Sequence, residues 1–147
     1  MPTNLWHNVP MATLAKSLPT QPLLATLQLN LENIESGVPT TTLSTFAESS
    51  GIPFKDLYDV VIPARTLKHR RARREPLSRD ESDKLTRLVR IFDHAVRVFD
   101  GIDRARTWLE EPKRRFNGRT PLSMLNTEAG GRMVEEFLGQ IDYGMFA

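Results

Sequence analysis

The chain has 147 residues, enough to bury a sizeable core without staples. It contains no cysteine, which excludes disulfides, thiolate metal sites and cysteine nucleophiles. The formal net charge is only +2, but residues 65–79 carry +6, against −3 for residues 1–64 and −1 for residues 80–147, so one short segment supplies the basicity.

No apolar run approaches the ~20 residues that a membrane helix needs. The first twenty residues, "MPTNLWHNVPMATLAKSLPT", scatter their apolar side chains and hold no compact hydrophobic region of a signal peptide. A soluble cytoplasmic protein is expected, without membrane contact. Residues 1–22, with Pro2, Pro10, Pro19 and Pro22, read as a loose arm. "LLATLQLNLENIE" (23–35) fits a helix with Leu23, Leu27, Leu31 and Ile34 on one side, but Leu27, Leu29 and Leu31 also alternate as in a short strand.

From Gly37 the signals sharpen. "PTTTLSTFAESSG" offers threonines as caps, apolar Leu43, Phe46 and Ala47, and Gly51 as a stop. "PFKDLYDVV" starts with Pro53 at a first helical position and carries Leu57, Val60 and Val61. Pro63 breaks that run, and a further helix fits Ala64 to about Arg74, ended by Pro76. In "LSRDESDKLTRLVRIFDHAVRVFD", Ser78 and Glu81 form a capping box. Leu85, Leu88, Val89, Phe92, Val96 and Phe99 then make one continuous apolar stripe. Beyond Gly101 come a short helix ending at Pro112, a loop with a turn at Asn117-Gly118, a short helix in "TPLSMLNT" and a last helix in "TEAGGRMVEEFLGQIDYG". The fold class is all-α.

Short helices around a proline-interrupted turn suggest a helix-turn-helix, and two registers compete. In one, Ala47 and Gly51 are the landmarks and "PFKDLYDVV" enters the groove; that helix has one lysine and two aspartates and would meet phosphate badly. In the other, "PFKDLYDVV" supports and "ARTLKHRRARR" enters, which puts positive charge where DNA is negative. The second is preferred, with Leu67 as the inward anchor. Recognition helices contact base edges from their N-terminal turns, so Arg65, Thr66 and His69 are the base-edge candidates. Lys68, Arg70, Arg71, Arg73 and Arg74 suit phosphates. A basic run is commonly just a solvated helix face, and an acidic protein surface is another partner for it.

Catalytic signals are thin. His7, His69 and His94 have no metal-site spacing with a carboxylate. Glu135 and Glu136 are adjacent, so on a helix they point about 100° apart. Gly130 and Gly131 match neither a dinucleotide fingerprint nor a phosphate loop. No cofactor is implied and no enzyme is expected. Trp108, Leu109 and Phe116 read as core. The tail "QIDYGMFA" ends on Ile141, Tyr143, Met145 and Phe146, which either fold back or dock into another protein.

"GVPTTTLSTFAESSGI", "IPARTLKHRRARREPLSRDESDKLTRLVRI" and "ARTWLEEPKRRFNGRTPLSMLNTEAGGRMVEEFLGQIDYGMFA" together resemble antitoxins of the Xre/MbcA/ParS type over about residues 37–147. The carrying motifs are "RTL" before a basic stretch, "LSRDESDKLTRL", and W-L-x-x-P followed by G-x-x-P-x-x-x-L-x-T-E-x-G. The resemblance implies an N-terminal Xre-like helix-turn-helix (37–100) joined by its long helix to a small helical toxin-binding domain (101–147), with the role of residues 1–36 open. It further implies binding to the promoter of the chain's own operon, and inhibition of a RES-domain toxin that consumes NAD+ by covering its active site.

Carried over, Arg65, Thr66 and Leu67 match "RTL" in the DNA-binding helix. Trp108, Leu109, Pro112, Gly118, Pro121, Leu125, Thr127, Glu128 and Gly130 match the toxin-binding signature, most of them as shape-giving residues. The final helix and tail are the expected toxin contact, through Glu135, Glu136, Leu138, Ile141, Asp142, Tyr143, Met145 and Phe146. Glu135, Glu136 and Asp142 would pair with toxin arginines that otherwise hold the dinucleotide's phosphates, an expectation from charge alone. A homodimer within a larger toxin–antitoxin complex, reading two operator half-sites, is expected. The alternatives are a stand-alone regulator whose C-terminal part dimerises or senses a ligand, and an interaction protein that has lost DNA binding.

Overall fold

Pro22, Pro39, Pro53 and Pro63 each stand immediately before a helix in the computed structural model, which describes residues 21–144. Their fixed φ and extended ψ turn the chain into each first turn without a side-chain cap. Pro53 thus sits one position earlier than its expected place inside the helix. The helices are α1 (Leu23–Thr26), α2 (Leu31–Ser36), α3 (Thr40–Ser50), α4 (Phe54–Val60), α5 (Ala64–Ala72), α6 (Arg79–Phe99), α7 (Ile102–Glu110) and α8 (Glu128–Asp142). Two 3-10 helices, Arg114–Phe116 and Leu122–Asn126, lie between α7 and α8. The described residues contain no strand, and no helix among them is long and apolar enough to cross a membrane.

Helix α6 is the spine. Its start has the expected capping box: Ser78 Oγ accepts from Glu81 N at 3.1 Å, and Glu81 Oε1 accepts from Ser78 N at 2.8 Å. Its stripe of Leu85, Leu88, Val89, Phe92 and Val96 is buried, while Phe99 is only partly buried, beside Trp108. Phe92 meets Phe46 of α3 edge-on at 5.5 Å. Helices α1, α2, α7 and α8 all pack on α6. The segment before α3 is pinned to its start, because Val38 N donates to the buried Ser82 Oγ at 2.9 Å and Val38 O accepts from Leu77 N at 2.8 Å. The N- and C-terminal parts share one core: α4 lies against the 3-10 turn Leu122–Asn126, and α3 touches α7.

Residues 23–35 form neither the single helix nor the strand that their leucines suggested. Gln28 adopts φ +54° and breaks the chain, and Asn30 Oδ1 accepts from Asn33 N at 2.9 Å to start α2 afresh. The rotation buries Leu29 and leaves Leu31 70% exposed. The basic helix stops at Ala72, two residues short of Arg74, where φ turns to +55° and Glu75 N closes back on Arg70 O at 2.9 Å. The expected loop after Pro112 holds a 3-10 turn, and "TPLSMLNT" is 3-10 rather than α.

Candidate nucleic-acid and partner interfaces

Helix α5 is held by one apolar residue. Leu67 is buried, and Arg65, Lys68, His69, Arg73 and Arg74 point to solvent, with Thr66 half-buried. Arg65, Lys68, Arg73 and Arg74 have no ion-pair partner among the described residues. A positive face of this kind is open to solvent or to an outside anion.

Arg70 and Arg71, which also looked like phosphate grips, are engaged internally. Arg70 donates to Glu81 through Nε (3.2 Å) and Nη2 (3.3 Å), and to Glu75 through Nη1 (3.4 Å). The hydrogen bonds and charge of Glu81, with a smaller part from Glu75, raise its guanidinium pKa above the ordinary arginine value. Arg71 donates to Ser44 Oγ at 3.0 Å and lies 5.5 Å over the Phe54 ring. Both side chains tie α5 to its neighbours. No ion pair or hydrogen bond in the sequence pattern announces this; Glu75 and Glu81 are the only hint.

Helix α4, the rival groove helix, buries Leu57 and Val60 and packs against the 3-10 turn Leu122–Asn126. Its exposed side chains include Lys55 and Asp59, of opposite sign.

The last helix owes its path to the T-E-x-G-G stretch. Thr127 Oγ1 accepts from Gly130 N at 3.0 Å and caps α8. A Cβ on Gly130 would lie 1.9 Å from Met124 O, and one on Gly131 would lie 2.9 Å from Arg87 Cδ. The two glycines therefore serve close packing. Arg87, buried on α6, donates to Leu125 O at 3.2 Å and pairs with Glu128 at 3.3 Å, joining the spine to α8.

The expected partner residues on α8 divide. Leu138 is fully buried, so it is corrected from a contact residue to a core residue. Glu135 is already bonded to Arg90 Nε at 2.8 Å, and Ile141 is half-buried. Glu136, Asp142 and Tyr143 are exposed, Tyr143 at 87%. Met145 and Phe146 lie outside the described residues. Met133, 45% exposed and not anticipated, joins Glu136, Gln140 and Tyr143 in one row at steps of three and four residues. The buried stripe through Val134 and Leu138 lies on the opposite face of the helix.

Trp108 and Phe116 are packing residues, as expected. Trp108 lies tilted against Phe99 (5.4 Å) and edge-on to Phe137 (5.6 Å), and Phe116 meets Phe137 edge-on at 5.7 Å. Burial, then the charge of Arg97, pushes the His94 imidazole below its ordinary pKa, partly offset by Asp142 and Glu135. Asp93 was missed altogether: its buried carboxylate accepts from Leu23 N and Leu24 N, both at 2.9 Å, and fastens α1 to α6. Among the described residues no group of three His, Cys, Asp or Glu is placed to hold a metal ion.

The profile of the Antitoxin Xre-like helix-turn-helix domain matches residues 30–90, and that of the Antitoxin Xre/MbcA/ParS C-terminal toxin-binding domain matches residues 94–144. A protein named Antitoxin Xre from Pseudomonas putida is 49% identical over 86 residues, covering 58% of this chain and 54% of the relative. The match thus spans about half of that relative's length. An Antitoxin Xre from Photorhabdus laumondii is 32% identical over 114 residues, covering 76% of this chain and 77% of the relative. A protein named Prs ADP-ribosylating antitoxin from Sphingobium is 27% identical over 124 residues, covering 78% of each.

Proposed function

The chain belongs to the Xre antitoxin family, and we propose on that footing that it binds and neutralises a RES-domain toxin that consumes NAD+ and binds its own operon's promoter through α5. It acts as an inhibitor, not as an enzyme. The observation that carries the reading is the outward row of α8. It keeps Met133 and Tyr143 in water, within the residues matched to the toxin-binding domain. Two large side chains left exposed along one helix face, with Glu136 and Gln140 between them, suit a protein contact of mixed polarity. The NAD+ part is supported more distantly, by a relative whose name includes ADP-ribosylation, a chemistry that consumes NAD+.

The structure changes the electrostatics of the proposed contact. Glu135 is neutralised by Arg90, so Glu136 and Asp142 are the carboxylates left for toxin arginines. Met133 replaces Leu138 as the apolar contact.

For DNA, support comes from the cations of α5 that lack internal partners and from the covered flank of α4. We assign Arg65, Thr66 and His69 to base edges, and Lys68, Arg73 and Arg74 to phosphates. A homodimer would set two α5 helices about one DNA turn, roughly 34 Å, apart.

Co-expression with the adjacent open reading frame tests the reading. The expected result is copurification of its product and rescue of growth from its toxicity. A chain that binds promoter DNA but neither captures nor neutralises that product would be a stand-alone regulator.

A further inference from the structure

Residues 113–119, "KRRFNGR", carry four cations and no carboxylate. The segment is closed on itself: Lys113 N donates to Arg119 O at 3.0 Å, and Gly118 N donates to Lys113 O at 2.9 Å. Asn117 (φ +56°) and Gly118 (φ +84°) make the tight reversal. Phe116 anchors the loop, buried against Phe137. Two of the cations are engaged by neighbouring side chains. Lys113 Nζ sits 5.0 Å over the Trp108 ring and 3.5 Å from Glu111, and Arg115 lies 4.6 Å over the Phe137 ring and bonds Gln140.

The other two, Arg114 and Arg119, are exposed and have no ion pair among the described residues. Four like charges on a closed loop repel one another, and the isolated chain gains nothing visible from this pair. The loop also adjoins α8. Gln140, which Arg115 holds, belongs to the outward row of Met133, Glu136 and Tyr143. Arg114 and Arg119 therefore extend the proposed toxin surface with a preorganised positive edge.

We infer that Arg114 and Arg119 form an electrostatic docking edge for carboxylates on the toxin, beside the apolar contact of α8. This rests on the proposed toxin contact. The edge is peripheral and solvated, so it speeds encounter more than it holds the complex. Charge complementarity here runs opposite to that of Glu136 and Asp142, so the toxin face must be acidic opposite the loop and basic opposite the end of α8. Such a two-signed pattern fixes the orientation of docking.

The test is the association rate of the full chain with the neighbouring gene's product, for wild type, the double variant Arg114→Ala/Arg119→Ala and the double variant Arg114→Lys/Arg119→Lys, at low salt and at about 150 mM ionic strength. The alanine pair is expected to slow association about tenfold at low salt and flatten its salt dependence, with dissociation changed less than about twofold. The lysine pair should restore most of the rate, and circular dichroism should show all three chains equally folded. An unchanged association rate and salt dependence would overturn the inference. So would a variant that associates normally with toxin but loses salt dependence in promoter binding, which would give the loop to DNA phosphates. If even the wild type fails to bind the product, the toxin reading itself fails and takes the docking edge with it; if Met133→Asp/Tyr143→Asp abolishes binding while the alanine pair associates normally, only the docking edge fails.

Discussion

Arg70 grips Glu81 with two nitrogens, Nε at 3.2 Å and Nη2 at 3.3 Å, and Glu81 in turn caps α6 through Ser78 N at 2.8 Å. One carboxylate thus fixes the end of the proposed recognition helix to the start of the spine. Arg70 is a positioning residue, and its charge is already answered by Glu81 and Glu75.

Arg70→Ala and Arg73→Ala are therefore expected to differ. Both weaken promoter binding. Arg73→Ala also flattens the plot of log affinity against log salt by about one unit, as a lost phosphate contact does. Arg70→Ala leaves that slope close to wild type, because no phosphate contact goes with it. Fluorescence anisotropy on promoter DNA at several salt concentrations checks both.

Gly130→Ala places a methyl group against the Met124 carbonyl, where a Cβ has only 1.9 Å. Neither atom can step aside without moving α8 or the 3-10 turn before it. The expected loss of stability is about 1–3 kcal/mol by urea denaturation, the range for overpacking a tight site. Asn126→Ala, at an exposed neighbouring position, is the control and should change little.

Asp93 gives a pH dependence with a definite sign. Burial raises its pKa above the ordinary aspartate value, and the Leu24 and Leu23 N–H groups and Arg97 pull it back only in part. The folded chain therefore keeps this proton at a pH where the unfolded chain has released it. Stability from Asp93 is fullest below the unfolded value and falls as pH rises through the raised folded value. Asp93→Asn loses one of the two acceptors, at a cost of about 1–3 kcal/mol, and lacks that slope. The stability difference between wild type and variant should narrow as pH rises above about 4, the ordinary aspartate value. A difference that widens over this range contradicts the assignment.

Much of the fold was legible because its signals are local. Ser78, Glu81 and the stripe from Leu85 specify α6, and the prolines specify where α3, α4 and α5 begin. The 23–35 segment was not, because Gln28 takes a left-handed conformation without glycine, and because Asp93, seventy residues away, caps Leu23. On the surfaces, composition located the basic helix and could not say which cations were spent inside the fold. Arg70 and Arg71 needed Glu81, Ser44 and Phe54 placed around them. On α8 the sequence pattern marked an apolar face; Leu138 belongs to the buried side of it, and the water-facing Met133 came from the geometry.

The central claim is that α5 serves DNA and α8 serves the toxin, as separable surfaces on one core. Growth rescue of cells expressing the neighbouring toxin, compared for Arg65→Ala/Arg73→Ala and Met133→Asp/Tyr143→Asp with both chains supplied from a constitutive promoter, tests it most directly. The first variant should rescue as well as wild type, and the second should fail while remaining folded. Full rescue by the second variant, or failure of a folded first one, would contradict the account.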